Sequence, residues 1–460
     1  MLYCLPEQRK ESMKVKPTRK DAYQLLHEGM IALAKVEHVG MRIDTDLMDR
    51  TIGETKEKIR QNEDFLKGST EWNIWKKYYG KKANLDSRPQ LGNVLFDQLG
   101  YKATSVTKTG RPQVDIDALS KIDSEFVKSY LTIAKLKKLL STYLIGIRRE
   151  VCDGYLHPSF NLHMVRTYRS SSSNPNFQNI PIRDKEVGKL IRSCFIPRKD
   201  HVLVEIDYGA LEFRICACFH QDKTMIEYAC NPELDIHRDM AAECYCLNKN
   251  QVTKQTRFHA KNCFVFPTLY NSYYVNTSRS LWAAIDESDL KTVDGMPLKK
   301  HLRGKGITRD NYEEHIKGVE RKFNKRFTTW SKNKEIWWNK YQETGWFDLM
   351  TGFRIAGVFS RNQIANVPIQ GPAFHCLLWS LIRMVKWLSK NKMKSCIIGQ
   401  IHDSIVADVH KEELSDYLAK AKLVMTEDVR EYWPWIVTTL EIEAETSETN
   451  WYEKKPIEIG

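Results

Sequence analysis

The stretch Ile401 to Val409 reads IHDSIVADV, an apolar run with a carboxylate set inside it. As a pleated strand it would place Ile401, Asp403, Ile405, Ala407 and Val409 on one face, because side chains repeat every second residue. An ionised Asp on a buried face requires a partner, since an isolated desolvated charge is costly. A second such acid occurs in HVLVEIDYGALEFRICACF, His201 to Phe219. There Val202 to Ile206 read as extended, Asp207 closes the strand, and Tyr208 and Gly209 turn into a helix starting near Ala210. Two aspartates on neighbouring strands either pair with Arg or Lys or hold a divalent metal. Mg2+ takes one or two carboxylates and completes its shell with substrate phosphates and water. Two such ions can stabilise both the attacking and the leaving oxygen of a phosphoryl transfer.

Working outward, 460 residues predict two to four subdomains rather than one small core. Hydrophobic residues make up 42%, which supplies material for real cores. The 71 Lys and Arg against 58 Asp and Glu give a formal charge of +13, which suits a polyanionic partner such as nucleic acid. A membrane role is not expected. The most apolar helical run, Phe374 to Leu388, is too short to span and carries Arg383 and Lys386. The N-terminus, MLYCLPEQRKESMK, lacks the apolar region of a signal peptide. The 11 cysteines include no CxxC pair, and the CxC pairs at Cys216/Cys218 and Cys244/Cys246 have the wrong spacing for zinc. Reduced thiols in a cytoplasm are the expectation.

The chain divides by pattern. Asp46 to about Leu66 is helical and charged, and Leu85 to Gly100 reads as a shorter helix pair. A polar loop follows, TSVTKTGRPQ. Asp123 to about Arg149 is a long amphipathic helix, with Phe126, Tyr130, Ile133, Leu136 and Leu140 on one stripe and Lys135, Lys137 and Lys138 off it. Those lysines are either a solvated face or phosphate contacts. Strands are expected at RSCFIP and HVLVEID, and helices from Ala210 to about Gly345. Within them TVDGMPLKKHLRGKGITR, Thr292 to Arg309, reads as an exposed basic insertion. Strand and turn signals return at DLMTGFRIAG, and a long helix is expected from near Pro372.

Further residues keep company with the two acids. RFHAK places Arg257 and Lys261 four apart, on one helical face where two cations could grip a triphosphate. Phe266 and Tyr270 follow, again four apart. In NVPIQG, Asn366 and Gln370 are also four apart, and amides can read minor-groove acceptors.

With these residues the sequence resembles family A DNA polymerases, the DNA polymerase I class, and their bacteriophage-like branch in particular. DYGALEFR resembles the family's motif A, RFHAKNCFVFPTLYNSYY its motif B and IHDSIVADV its motif C. TYRSSSSNPNFQNIPIR resembles the primer–template segment ahead of motif A, and ANVPIQGPAFH the helix before motif C. The resemblance runs from Gly40 to ETNWY near the end. It implies an α+β right-hand fold: residues 1–40 an N-terminal extension, 41–150 a thumb, 151–225 and 351–460 two parts of a palm. Residues 226–350 would be fingers, with an insertion at about 276–310. It implies that Asp207 and Asp403 bind two Mg2+ ions (Mn2+ as an alternative), with the Tyr208 carbonyl also on a metal. Arg257, Lys261 and His237 would bind the incoming deoxynucleoside triphosphate, with Lys261 also catalytic. Glu212 would gate against a ribose 2′-hydroxyl, Phe266 would pack beside the sugar, and Tyr270 would lie near the templating position. Arg169, Arg183, Asn366, Gln370 and His402 would hold primer terminus and template DNA.

Four positions depart from the family pattern. Ser404 follows Asp403 where a Glu is usual. Lys261 to Phe266 is five residues, one more than usual, which a π-bulge would absorb. Asn271 stands for a Gly, and tolerates left-handed backbone better than most residues. Ala210 replaces a common Gln. A monomeric cytoplasmic enzyme of replication or repair is expected, in a bacterium or an infected host cell. No proofreading exonuclease is expected in this chain: DSE at Asp123 reads as a helix N-cap, and an exonuclease or processivity factor would be a separate partner. Two other readings are a related RNA polymerase or reverse transcriptase, and a non-catalytic DNA-binding protein.

Overall fold

The computed structural model describes residues 17–107, 109–182 and 184–459. Five antiparallel strands form the central sheet, in the order Lys455–Ile457, Ile442–Ser447, His201–Tyr208, Ser404–His410, Cys396–Ile401. Val202, Val204, Ile206 and Tyr208 bury one face of the middle strand, while on the other face Leu203 is buried and Asp207 is exposed. The cover is the helix Arg361–Lys390, whose Ser380 Oγ lies 3.0 Å from the Tyr208 hydroxyl. The helix Arg19–Val39 packs on that long helix and on the strand Cys396–Ile401. It buries Leu25, Leu33 and Val36, and Gly29 allows Leu378 to approach it closely. Residues 19–39 are thus part of the main core rather than set apart from it.

The long helix begins at Arg361, capped by Ser360, well before the Pro372 start expected from sequence. Pro368 and Pro372 both lie inside it. Proline removes an N–H from the ladder and so frees the carbonyl four residues earlier. For Pro368 that carbonyl is Ile364, and Trp337 Nε1 donates to it at 3.2 Å. A side chain from a neighbouring helix repairs the break.

A second, smaller core gathers Trp75, Leu91, Val94, Leu95, Phe126, Val127 and Ile133 between the helices Thr45–Lys67 and Glu125–Lys138. The latter continues through a π segment, Leu139–Ile145, to Glu150. Ser124 caps it, so the acidic DSE triplet is a helix start. Lys135 pairs with Asp184 at 2.8 Å, and Lys137 with Glu63 at 2.9 Å and Asp86 at 2.8 Å. Those two lysines are thus paired with carboxylates, whereas Lys138 faces solvent.

Other expectations are corrected. Asp403 is not in a strand: Ile401 and Ser404 are register partners, and His402 with Asp403 forms the turn between them. His402 takes a left-handed φ of 48°, which lets so short a turn close. Leu85 to Gly100 holds one helix, Arg88–Gly92 running into a π segment Asn93–Gln98, not a pair. RSCFIP contributes only the isolated bridge of Phe195 with Ile43. The basic insertion is not a free loop, because Leu298 and Leu302 of its helix Leu298–Gly304 are fully buried. Among the described residues, no helix is long and apolar enough to cross a membrane.

Candidate active site

The sheet brings the two aspartates together by register. Asp207 lies opposite Ser404, the residue after Asp403, and the Tyr208 N–H donates to the Asp403 carbonyl at 3.4 Å. Asp207 keeps an edge open to solvent above a crowded sheet. Burial, then the charges of Asp403 and Glu205, push its carboxyl up to about 7. Arg169 reaches Asp403 only at 3.9 Å, and its other terminal nitrogen lies 3.5 Å from Glu212. This under-neutralised pair is what a divalent cation would fit. Among the described residues, no three His, Cys, Asp or Glu side chains converge as a complete ligand set. The pair is an open half-site, to be completed by phosphate oxygens and water.

Glu212 sits in the first turn of the helix Leu211–His220, after Ala210 in a left-handed conformation. The Tyr270 hydroxyl donates to its Oε2. Burial raises the Glu212 carboxyl, with the Asp403 charge in the same direction, while Arg169 and Lys261 oppose them. Asp403, Arg169, Glu212 and Tyr270 thus form one continuous polar chain from the sheet to the helical side of the cleft.

That helical side carries the cations. The helix Lys254–Ala260 passes into a π segment, Lys261–Val265, and back to α at Phe266–Leu269. The extra residue between Lys261 and Phe266 is taken up there, and Lys261 Nζ lies 5.6 Å from the Phe266 ring centre. Phe266 stacks along Tyr270, with centroids 6.2 Å apart, and His237 stands 5.8 Å from Phe266. Asn271 has φ of 71°, a left-handed turn that Asn accepts. Arg257 Nε donates to Asp235 at 2.6 Å. His237 is buried, and neither ring nitrogen has a hydrogen-bond partner. Burial, then Lys261 and Arg257, push it down to about 3, so it is a neutral imidazole at pH 7.

Asn366 and Gln370 lie one turn apart on Arg361–Lys390, and the Asn366 Oδ1 is buried without a partner. His402 is exposed in the turn beside Asp403. Arg183 lies outside the described residues. Sequence reasoning missed Ser170, Gln178 and Gln400. Gln400 Oε1 accepts from Ser170 at 2.6 Å and from Gln178 at 2.7 Å, and Gln400 Nε2 donates to the His402 carbonyl at 2.7 Å. That network ties the 170–178 segment to the Asp403 turn. The signal available was two polar residues inside the segment TYRSSSSNPNFQNIPIR and one immediately before IHDSIVADV.

Residues 55–453 match the profile of DNA polymerase family A. DNA polymerase I of Lactococcus lactis subsp. cremoris is 29% identical over 433 residues, 92% of this chain and 45% of that protein. DNA polymerase I of Streptococcus pneumoniae is 30% identical over 384 residues, 82% of this chain and 41% of the relative. The DNA polymerase of Bacillus phage SP01 is 28% identical over 77% of this chain. The chain therefore spans under half the length of these curated relatives. In fold it resembles the POL domain of Pol1 from M. smegmatis, solved in complex with DNA primer-template and dNTP. That similarity has a TM-score of 0.72 at 23% identity, over 92% of this chain and 70% of that one.

Proposed function

The chain belongs to DNA polymerase family A, and from that premise we propose that it is a template-directed DNA polymerase extending primer 3′ ends with deoxynucleotides. Residues 41–150 would be its thumb, 151–225 and 351–460 its palm, and 226–350 its fingers. What carries the reading is one cleft with paired carboxylates on the sheet and a cationic, aromatic helix face opposite. Asp207 and Asp403, with the Tyr208 carbonyl, would hold two divalent ions, Mg2+ by preference and Mn2+ as an alternative. Bound there, the ions supply charge stabilisation for the attacking 3′-oxygen and the leaving pyrophosphate.

The chain's own residues do the rest. Arg257, held by Asp235, and Lys261 present fixed positive charge to the triphosphate, and Lys261 offsets charge developing on the leaving group. His237, neutral and lacking partners, donates a hydrogen bond to a phosphate oxygen. Phe266 packs beside the sugar. Glu212, braced by Tyr270 and Arg169, fills the space a 2′-hydroxyl would need. Tyr270 borders the templating base. Arg169, Asn366, Gln370 and His402 face primer and template, with Arg183 assigned by sequence alone. The enzyme is proposed to act as a monomer in the cytoplasm, with any processivity factor as a separate partner.

Primer extension with wild type and Asp403→Ala, using dNTPs and rNTPs, tests these points together. Wild type should extend with dNTPs and Asp403→Ala should not. Equal extension by both proteins would overturn the catalytic reading.

A further inference from the structure

Behind the aspartate pair lies a buried ionic cluster that the proposed chemistry does not use. Glu205 precedes Asp207 by two residues, so both side chains share one sheet face. Its side chain is 15% exposed and that of its partner Lys454 is 8% exposed. Trp451 Nε1 donates to Glu205 Oε2 at 2.8 Å, and Lys454 Nζ donates to Glu205 and, at 2.8 Å, to Glu445. Trp451 is itself fixed: Arg192 lies 3.8 Å over its ring, and Phe177 stacks at 5.2 Å. The other carboxylate oxygen, Oε1, faces Ser404 Oγ at 3.1 Å.

Ser404 is the register partner of Asp207 and the chain neighbour of Asp403. Its hydroxyl carries one proton and has two acceptors in reach, Glu205 and the Ile401 carbonyl at 3.0 Å. The second lies inside the same hairpin and ties it to nothing else. The first crosses to the strand carrying Asp207. Among the described residues, Glu205 is the side-chain acceptor through which the Ser404 hydroxyl reaches the Asp207 strand, beside the backbone pairing of the two strands.

We propose that Glu205 is a positioning residue for the metal-binding pair, acting through Ser404 Oγ to fix the Asp403 turn against the strand that carries Asp207. The proposal rests on the metal role given to Asp207 and Asp403 above. Its alternative is that the cluster merely anchors the Trp451–Lys454 segment. Ser404→Ala separates the two, because it deletes the side-chain tie between the strands and leaves the backbone ladder, Glu205, Trp451 and Lys454 in place.

The measurement is Mn2+ binding to the full chain on primer–template, followed by electron paramagnetic resonance, beside thermal melting. Ser404→Ala and Glu205→Leu, which has no acceptor for the Ser404 hydroxyl, should each weaken Mn2+ binding by about tenfold, the loss typical when a partner behind a metal ligand is removed. Combined, Glu205→Leu and Ser404→Ala should lose little more than either alone, because both break one hydrogen bond. Wild-type Mn2+ affinity in Ser404→Ala, or losses that add fully in the double variant, would overturn the proposal. If wild type itself binds no more Mn2+ than Asp403→Ala, the metal reading fails and this inference with it.

Discussion

Lys261 and Phe266 are five residues apart, yet Lys261 Nζ lies 5.6 Å from the centre of the Phe266 ring. In an unbroken α-helix the residue over Lys261 would be Val265, four positions on. The π segment Lys261–Val265 rotates the helix so that Val265 is buried and Phe266 joins the cationic face. A π turn is a single-residue insertion into an α-helix. Deleting Cys263 should therefore restore regular α-helix and keep Phe266 beside Lys261. Steady-state primer extension should then show a KM for dNTP within about threefold of wild type, whereas inserting one Ala after Cys263 should raise it at least tenfold. A deletion as damaging as the insertion would refute this account of the segment.

Glu212 is braced by Tyr270 on one side and by Arg169 at 3.5 Å on the other. A side chain so fixed can exclude a hydroxyl by volume. Glu212→Ala should raise the efficiency of ribonucleotide against deoxynucleotide insertion by roughly 10²-fold, because a pocket without the clash discriminates poorly against one added hydroxyl. Tyr270→Phe, which removes only the brace, should give a smaller shift in the same direction. Single-nucleotide insertion kinetics with matched rNTP and dNTP pairs measure both. An unchanged ratio in Glu212→Ala would remove the gate role.

Asp207 has a pH signature because burial and the nearby carboxylates push it up to about 7. A carboxyl raised on folding binds its proton more tightly in the folded chain. Its contribution to stability is therefore fully present below its ordinary value of 3.8 and is lost as pH rises through about 7. With EDTA present, Asp207→Asn should melt higher than wild type at about pH 8, and that advantage should shrink as pH falls toward about 4. Mg2+ at the higher pH should raise the melting temperature of wild type and leave Asp207→Asn nearly unmoved. A difference between the two proteins that stays flat across this range would contradict the crowding of charge at the pair.

The motifs were legible in the sequence because each carries its chemistry in side chains at fixed spacing. Arg257, Lys261, Phe266 and Tyr270 converge on one face, and even the extra residue between Lys261 and Phe266 pointed to its π turn. Asp403 was misread for a physical reason. Alternation in IHDSIVADV matches a strand, but the strand Ser404–His410 is buried on both faces, so alternation carried no information there. The turn at His402 and Asp403 lacks the Gly or Asn that would have announced it. Long-range ties escaped for a different cause. Nothing local links Ser404 to Glu205, or Gln400 to Ser170, because those contacts exist only after the sheet has formed.

The start of the long helix was misplaced for a related reason, and that error yields the last test. Pro372 reads as the start of the helix, yet the helix runs from Arg361 to Lys390 with Pro368 and Pro372 both inside. Its continuity depends on Trp337 Nε1, which donates at 3.2 Å to the Ile364 carbonyl that Pro368 leaves free. Asn366 and Gln370 lie on either side of the break, so its geometry sets how the two amides are oriented relative to each other. Trp337→Phe removes the donor and keeps most of the ring, and should cost about 1–3 kcal/mol as a half-buried carbonyl loses its partner. Pro368→Ala in that background supplies a backbone N–H to the same carbonyl and should recover most of the loss. In wild type, Pro368→Ala should help far less, because the carbonyl is already satisfied. Chemical denaturation of the four proteins gives the coupling directly. If the two substitutions prove additive, the tryptophan does not repair the proline break, and the orientation of Asn366 and Gln370 must be set by packing alone.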